Sequence, residues 1–395
     1  MPDDRLRQLR ERMESLSPPQ RAALEQALRQ RDAKPPVPTA RPAPKRRTRR
    51  ATSTMEFSLF FFSGDGSKAG ADNYRLLLDS AQVADREGFS AIWVPERHFV
   101  DFGGLYPNPS VLAAALAVTT ERVQIRAGSV AVPLHHPVRI AEEWSVVDNL
   151  SGGRVAIACA SGWHPDDFVI APNGRAGHKS RKDDMFDAID LVQRLWAGET
   201  VDVDGVAVRT LPRPRQPRLP LWISSQGSVD TFVRAGRIGA NVLTGLVAMR
   251  PADLKDKIDA YREALAEAGH TDGVVTAMVH TFLGADEDEV RELVRDPLIG
   301  YLRTFLAQQG SFDSEFNLLD DEGREAMLAA SFDRYFESLA LLGTPDKAES
   351  LVEDLVDLGV DEVACLVDFG LEPEVVLDGL RHLAELKDRY RGARS

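Results

Sequence analysis

Three chemically active residues directly follow the apolar segment Ala91–Pro95, namely Glu96, Arg97 and His98. A carboxylate and an imidazole can transfer a proton, and a guanidinium can stabilise negative charge that develops during a reaction. We therefore predict that Glu96, Arg97 and His98 form a catalytic cluster. The alternative interpretation is a strand end whose charged side chains are only solvated.

Small and polar residues mark three further segments that interrupt or follow apolar runs. They are Gly128 and Ser129, then Ser161, Gly162 and Trp163, and then Ser225, Gln226, Gly227 and Ser228. A small-residue turn that opens a helix leaves free N–H groups at the positive end of the helix dipole, so the last segment suits a phosphate. Gly128 would let a flat ring approach the backbone, unless it is only a packing glycine.

Eight apolar runs of strand length must position these residues. The runs cover 56–62, 90–95, 123–132, 154–160, 219–224, 240–244, 274–283 and 362–369. Continuous apolar runs are typical of strands that are buried on both faces of a parallel sheet. Amphipathic helices lie between them, for example at 71–87 and 346–358, and this alternation predicts a (β/α)8 TIM barrel with insertions. A doubly wound open sheet is the alternative fold.

Three segments are too long to be plain connections in a barrel: 161–181, 198–218 and 285–343. We predict a small hairpin in 198–218 and helices in 285–343. Loops that follow barrel strands lie on the C-terminal face, where the active sites of this fold are found. Segment 285–343 is our candidate lid, and a helical subdomain with its own core is the alternative. The aromatic residues that could cover a pocket are Phe305, Phe312, Phe316, Phe332, Tyr335 and Phe336.

The first 54 residues differ in composition from the rest of the chain. We predict a short helical docking or linker element at 1–32, a flexible linker rich in Pro and Arg at 33–54, and the barrel domain at 55–395. Residues 1–50 hold 14 Lys/Arg and 6 Asp/Glu, whereas the remainder holds 34 basic and 55 acidic residues. An acidic body argues against nucleic acid as a partner. The basic run 45–50 is either a solvated linker or a contact for RNA or an acidic protein.

Several other features narrow the functional class. The sequence has no apolar run long enough to span a membrane and no apolar signal region, so we expect no membrane partner. Cys159 and Cys365 lie in separate apolar runs, which fits a reducing cytoplasm rather than a disulfide framework. Neither a Gly-x-Gly-x-x-Gly fingerprint nor a Walker loop is present. His135 and His136 are adjacent and therefore poor joint metal ligands, so we expect no metal site.

From about residue 55 to the C-terminus, the sequence resembles the luciferase-like flavin monooxygenases of the bacterial luciferase superfamily. The similarity is strongest in Val123–Pro133 and Leu134–Arg139, and it continues through Ser151–Arg154. The segments Leu221–Ser228 and Glu362–Gly370 are similar as well. This resemblance implies a TIM barrel with a flavin site at its mouth.

The resemblance also implies roles for the small-residue segments. In that family a non-prolyl cis peptide supports the flavin ring, and the matching pair here is Gly128-Ser129. The segment Ser161–Trp163 would lie near the ribityl phosphate, and Ser225–Ser228 would bind the flavin phosphate.

Two parts of the sequence depart from the family pattern. Arg97 stands where the family has its catalytic histidine, while His98 matches the second histidine of the motif. The base role would therefore pass to His98 or Glu96, unless the reaction needs no base there.

The second departure is in the fourth strand. The reactive cysteine and the phosphate-binding arginine of luciferase align with Ala160 and Ser161. We expect Arg181 to supply the missing positive charge and Cys159 to be a packing residue.

The resemblance implies a monooxygenase that receives reduced FMN from a separate flavin reductase and uses O2 as co-substrate. Segment Phe57–Ser63 and the pair Arg97-His98 resemble the luciferase-like oxygenases of polyketide and nonribosomal peptide assembly lines, and Leu16–Leu24 resembles the short helical linkers that flank the modules of those assembly lines. That similarity implies an acyl intermediate on an acyl or peptidyl carrier protein, hydroxylated next to its thioester carbonyl, with Baeyer–Villiger oxygenation as second choice. We also expect a homodimer or a higher homo-oligomer.

Two other classes of function stay open at this point. One is an F420- or flavin-dependent oxidoreductase on the same barrel, which would transfer hydride without oxygen. The other is a non-catalytic flavin-binding or docking protein, because Arg97 replaces the histidine of the family.

Overall fold

A computed structural model of the chain describes residues 49–50, 52–65, 72–225, 227–246, 251–308 and 321–391. These residues belong to one unit, 47–395. The predicted helical element 1–32, most of the predicted linker, Gln226, Phe312 and Phe316 lie outside the described residues.

The strands lie where the apolar runs predicted them, and they are numbered in chain order. The eight barrel strands are β1 (Glu56–Phe60), β2 (Ala91–Val94), β3 (Gln124–Ala131), β4 (Val155–Ala160), β7 (Leu221–Ser224), β8 (Asn241–Gly245), β9 (Val275–Leu283) and β11 (Glu362–Leu366). The predicted hairpin is confirmed as β5 (Val201–Val203) and β6 (Val206–Val208), which pair antiparallel. A short strand that the sequence did not predict, β10 (Leu341–Gly343), pairs with the end of β9.

The barrel is closed. Its strands follow the order β11-β1-β2-β3-β4-β7-β8-β9, and β9 pairs with both β8 and β11. All eight of these pairings are parallel. The prediction of a TIM barrel is therefore confirmed, and the open doubly wound sheet is wrong.

Helices surround the barrel. They are α1 (Arg75–Glu87), α2 (Pro109–Thr119), α3 (Pro137–Ser151), α4 (Arg181–Ala197), α5 (Val229–Arg237), α6 (Pro251–Glu267), α7 (Glu287–Gln308), α8 (Asp321–Arg334), α9 (Pro345–Leu358) and α10 (Pro373–Tyr390). Local sequence fixes several starts, because Asn108 and Thr344 accept hydrogen bonds from first-turn N–H groups and a proline follows each cap. Within the described ranges, no helix combines the length and apolar character needed to cross a lipid bilayer.

Side chains alternate between two apolar layers along each barrel strand. In β1, Phe57 and Leu59 pack against the outer helices, while Phe60 belongs to the inner cluster. The inner cluster continues into α7, α8 and the π-helical turn Tyr335–Leu339 that follows α8, and Phe332 and Phe336 are buried there. Segment 285–343 therefore does not fold around a separate core, because its apolar side chains share the core inside the barrel mouth.

The lower end of the barrel is closed by a buried ion pair. Nη1 of Arg126 in β3 lies 2.7 Å from Oε2 of Glu362 at the start of β11. The Arg126 guanidinium lies between the rings of Trp93 and Trp222, at 4.8 and 4.4 Å from their centres. Arg126 and Glu362 stand near the beginnings of their strands, so the ion pair lies away from the mouth and its role is structural.

Residues that precede β1 bind to helix α9 at the side of the barrel. Nε of Arg50 lies 2.8 Å from a carboxylate oxygen of Glu353 in α9, and the Ser53 hydroxyl donates a hydrogen bond of 2.9 Å to the same oxygen. The backbone N–H of Arg49 donates to Glu349. The last residues of the predicted linker are thus held against α9 at the side of the barrel.

Candidate active site

The C-terminal ends of the barrel strands bring the predicted site residues to one mouth. Glu96, Arg97 and His98 follow β2, the Gly128-Ser129 pair lies in β3, Ser161–Trp163 follows β4, and Ser225, Gly227 and Ser228 follow β7. In a parallel barrel these strand ends share one face, which is where catalytic loops gather.

Glu96 is the centre of a hydrogen-bonded cluster that joins two strand ends. Its Oε1 lies 2.8 Å from Nε2 of His98 and 2.7 Å from Nε2 of His135. Its Oε2 accepts a hydrogen bond of 2.8 Å from the backbone N–H of Ala131. The Glu96 side chain is 0% exposed. Because an ionised carboxylate can only accept hydrogen bonds, both imidazoles donate to it in this Glu96–His98–His135 cluster.

The cluster favours an ionised Glu96 beside a protonated His135. Burial opposes the ionisation of Glu96, but the hydrogen bonds from His135 and His98 outweigh burial and lower its pKa. Burial also disfavours a charged His135, but the hydrogen bond to Glu96 and the negative charge of Glu96 outweigh it and raise the pKa of His135. The cluster can therefore hold a proton at the mouth, and His98 is its member beside the cavity described next.

Arg97 places a positive charge among aromatic rings. Its guanidinium carbon lies 5.0 Å from the ring centre of Phe62, 5.6 Å from that of Phe102 and 5.4 Å from that of Trp163. Burial lowers the pKa of Arg97, although the charge of Asp167 opposes this effect. A guanidinium stays protonated at physiological pH in either case. A cavity of about 300 Å³ lies against Arg97, His98 and the loop 99–107.

The Gly128–Ser129 peptide bond is cis, as the family resemblance predicts. The pairing of β3 with β4 shifts between Gly128 and Val130, so Ser129 is an extra residue in the strand. Such a bulge changes the direction in which a side chain points. A Cβ atom on Gly128 would lie 2.7 Å from the Phe60 ring. The requirement for glycine at this position is thus explained by packing inside the barrel.

Arg181, the first residue of α4, fixes the loop that follows β4. Its Nε donates a hydrogen bond of 3.0 Å to the carbonyl of Gly162, and its Nη1 donates one of 2.8 Å to the carbonyl of His178. Its Nη2 donates no hydrogen bond within the part of the chain that the structure describes. Arg181 therefore combines a structural role with a nitrogen that can still bind a ligand.

Helix α5 follows β7 and contacts α4 through one ion pair. Asp183 in the first turn of α4 lies 2.9 Å from Arg234 in the last turn of α5. Ser228 is the N-cap of α5, and its side chain makes no capping hydrogen bond. Gly227 has open space around its Cα. The first-turn N–H groups of α5 and Nη2 of Arg181 are thus two groups after barrel strands that could each bind a phosphate.

Asp368, just after β11, fixes the loop that follows β1. Its carboxylate accepts hydrogen bonds from the N–H groups of Phe62, Ser63 and Gly64 at 2.9, 2.9 and 3.1 Å, and from the Tyr106 hydroxyl at 3.0 Å. Burial raises the pKa of Asp368, while these hydrogen bonds favour the ionised form. The contacts hold Phe62 in place beside Arg97.

The two cysteines are buried packing residues. Cys159 and Cys365 both face the layer between strands and helices, which confirms the prediction for Cys159. Burial raises the pKa of each thiol to about 12, so neither is a thiolate nucleophile. Among the described residues, no group of three or more His, Cys, Asp and Glu side chains is placed to hold a metal ion.

Sequence reasoning missed His135 as a member of the site. It considered His135 only as the neighbour of His136. A usable signal was present, because His135 follows β3 within four positions and Glu96 follows β2 within two, and these strands pair in parallel. Polar residues after neighbouring parallel strands meet at the mouth of a barrel.

A closed parallel barrel with a proton-holding cluster at its mouth has the architecture of a TIM-barrel enzyme. Residues 55–362 match the luciferase-like monooxygenase family, so the chain belongs to that family. The alkanal monooxygenase alpha chain of the Kryptophanaron alfredi symbiont is 22% identical over 317 residues, which are 76% of this chain and 88% of that protein.

Solved structures share the fold. The monooxygenase RslO1 from Streptomyces bottropensis matches with a TM-score of 0.68 and 25% identity, covering 84% of this chain and 98% of RslO1. The oxygenating constituent of 3,6-diketocamphane monooxygenase from Pseudomonas putida, solved with FMN, matches with a TM-score of 0.71 and 19% identity, covering 85% and 99%. The relatives also include an F420-dependent glucose-6-phosphate dehydrogenase from Beutenbergia cavernae, 29% identical over 58% of this chain and 70% of that protein.

Proposed function

We propose that this chain is the oxygenase of a two-component flavin monooxygenase, which takes reduced FMN from a separate flavin reductase and uses O2 as co-substrate. One observation carries the proposal: the Glu96–His98–His135 cluster, Arg181 and the start of α5 all come after barrel strands, on the C-terminal face. The cluster can hold a proton, and Arg181 and the start of α5 suit a flavin phosphate.

The residues at the mouth fit a flavin. In this proposal its phosphate lies against the first-turn N–H groups of α5, with Ser228 and Arg181 as neighbours, and Gln226 belongs to the same turn in the sequence. Ser129 supports the ring, and Gly162 and Trp163 form the wall after β4. When bound, reduced flavin supplies the electrons that activate oxygen.

His98 is the catalytic residue that we assign to proton transfer. Its Nε2 bonds to Glu96, and its side chain is 11% exposed beside the cavity that the loop 99–107 lines. Glu96 and His135 are positioning residues, because they act on the substrate only through the orientation and charge of His98. A positioned acid or base of this kind contributes about 10²–10⁴-fold to a rate.

Arg97 is the residue that we assign to charge stabilisation. It is buried among Phe62, Phe102 and Trp163, and aromatic walls exclude water from a charge that develops nearby. This role differs from that of the histidine that the family resemblance predicts at the same position.

We further propose that the substrate is an acyl group on an acyl or peptidyl carrier protein, with hydroxylation next to the thioester carbonyl. The support comes from the sequence similarity of Leu16–Leu24 to assembly-line linkers and from the positive charge of residues 1–50, which complements an acidic carrier. Baeyer–Villiger oxygenation of the same substrate is the second candidate.

Self-association is part of the proposal. Four apolar side chains are exposed on the neighbouring helices α2 and α3: Val111, Val118, Val146 and Leu150. Apolar side chains exposed on two packed helices occur at protein interfaces. They support a homodimer or a higher homo-oligomer.

The test combines the full chain with FMN, a flavin reductase, ¹⁸O2 and a carrier-bound acyl thioester, with mass spectrometry of the product. One ¹⁸O atom per product is expected, and His98→Ala should lower the yield about 10²-fold or more. Exposed His164→Ala is the matched control and should keep the yield.

Two results would overturn parts of the proposal. Oxidation of the free acid as fast as the carrier-bound acyl group would remove the carrier from it. Product without ¹⁸O, formed by hydride transfer with reduced F420 in the absence of oxygen, would assign the chain to the F420-dependent branch of its relatives.

A further inference from the structure

Two buried polar side chains near the mouth have no hydrogen-bond partner. They are His280 in β9 and Tyr301 in α7. Among the residues that the structure describes, neither Nε2 of His280 nor the hydroxyl of Tyr301 has a hydrogen-bond partner. Unsatisfied buried polar groups are costly and uncommon in native proteins. A ligand that forms hydrogen bonds with both groups would remove this cost.

His280 faces the inside of the barrel. Side chains alternate along β9, and Thr276, four residues earlier, accepts a hydrogen bond of 3.1 Å from Nε1 of the inward-facing Trp222. Met278, between them in the alternation, belongs to the inner apolar cluster. His280 pairs in register with Leu366, at the last position of β11, so it stands at the level of the mouth.

The two side chains are neighbours in the same aromatic wall as Arg97. The rings of His280 and Tyr301 are 4.4 Å apart between centres and nearly perpendicular. The Tyr301 ring is 5.1 Å from Phe102, and Phe102 is one of the rings around Arg97. The pair is therefore connected to the proposed reaction site through one side chain.

Both groups are uncharged. Burial lowers the pKa of His280 to about 3, so its imidazole is neutral, and burial raises the pKa of Tyr301 well above its ordinary value. A phenol donates a hydrogen bond, and a neutral imidazole nitrogen donates or accepts according to its tautomer. Together they match one hydroxyl or carbonyl oxygen, whereas a carboxylate or an ammonium group would bring an uncompensated charge into this pocket.

The surrounding side chains favour a flat partner. Phe305 stacks parallel to Tyr301 with 6.1 Å between ring centres, and Phe369 and Tyr335 lie edge-on to His280 at 5.8 and 5.7 Å. Aromatic rings thus surround both polar groups, and aromatic side chains pack favourably against a further ring.

We propose that His280 and Tyr301 form the polar end of the substrate pocket and bind a hydroxyl or carbonyl oxygen on an uncharged aromatic ring. The inference deepens the proposed function and rests on it, because it assigns the ring to the molecule that is oxidised at this mouth. It makes the pair specificity-determining residues for an acyl group that bears such a ring.

The test is equilibrium dialysis of the full, flavin-free chain against three probes of similar shape: 2-naphthol, 2-methylnaphthalene and 2-naphthoate. We expect 2-naphthol to bind about tenfold more tightly than either other probe, as for one hydrogen bond to a buried polar group. Tyr301→Phe and His280→Leu should each bring this preference close to one. Tyr335→Phe is the matched control, because Tyr335 touches His280 only through its ring.

The inference is overturned if 2-naphthol fails to bind, if the unaltered chain does not prefer it, or if the preference survives both Tyr301→Phe and His280→Leu. Circular dichroism shows whether each variant is folded, and Tyr301→Phe removes a single oxygen atom. Since dialysis needs neither flavin, reductase nor oxygen, a failure of oxygenation would count against the proposed function alone.

Discussion

Replacing Glu96 with glutamine tests whether the mouth of the barrel holds a charged hydrogen-bonded cluster. Glutamine has nearly the same shape, but it removes the negative charge that accepts from His98 at 2.8 Å and from His135 at 2.7 Å. A hydrogen bond to a charged group contributes about 1.5–3 kcal/mol, and loss of one partner of a buried ion pair costs about 3–5 kcal/mol. We expect Glu96→Gln to lower the free energy of unfolding by about 3–5 kcal/mol near pH 6.

The loss should depend on pH in a defined direction. The pKa of His135 is raised in the folded chain, so its contribution is complete below its ordinary value of 6.5 and disappears as pH rises through the folded value. The pKa of Glu96 is lowered, so its contribution is complete above its ordinary value of 4.5 and disappears as pH falls through the folded value. The difference between unaltered chain and variant is therefore largest between these two ordinary values.

The assay is urea unfolding of the unaltered chain and Glu96→Gln at a series of pH values. Glu142→Gln is the control, because Glu142 forms an exposed ion pair of 3.4 Å with Arg139 and such pairs contribute about 1 kcal/mol or less. A Glu96→Gln loss no larger than that of the control, or a loss that does not change with pH, would refute the reasoning.

Three further variants test other parts of the molecule. Arg181→Met should weaken FMN binding about tenfold in a fluorescence titration, with riboflavin unaffected, because only FMN carries the phosphate; an equal loss for riboflavin would reject the phosphate role. Leu150→Arg should convert the oligomer to a monomer in light scattering, while exposed Leu211→Arg leaves it intact; an unchanged mass would place the interface elsewhere. Glu362→Gln should cost about 3–5 kcal/mol in urea unfolding, because it leaves the buried Arg126 unpaired; a loss below 1 kcal/mol would contradict this role.

The barrel could be predicted from sequence because strands buried on both faces leave continuous apolar runs. All eight predicted runs overlap a barrel strand, and the family resemblance also predicted the cis bond at Gly128–Ser129. The strand β10 was missed, since three residues after a helical region carry too little periodicity.

The site could be predicted only where its chemistry is local in the chain. Glu96 and His98 are two positions apart, and the sequence predicted their proximity. His135 reaches the same carboxylate from 39 positions away, and Tyr301 reaches His280 from another element. Such contacts depend on the angle and register of packed elements, which the pattern of a single strand does not contain.

Asp368 has a consequence for how the protein is made. Its carboxylate accepts a hydrogen bond from the N–H of Phe62, which is 306 positions earlier in the chain. In the same way, β1 pairs with β11, which is synthesised much later. During synthesis the loop beside Arg97 therefore lacks its anchor until Asp368 has left the ribosome. Pairing over such a separation is slow to form. The mouth of this barrel is thus among the last parts of the molecule to acquire its shape, and a nascent chain that ends before Asp368 has no working site to offer.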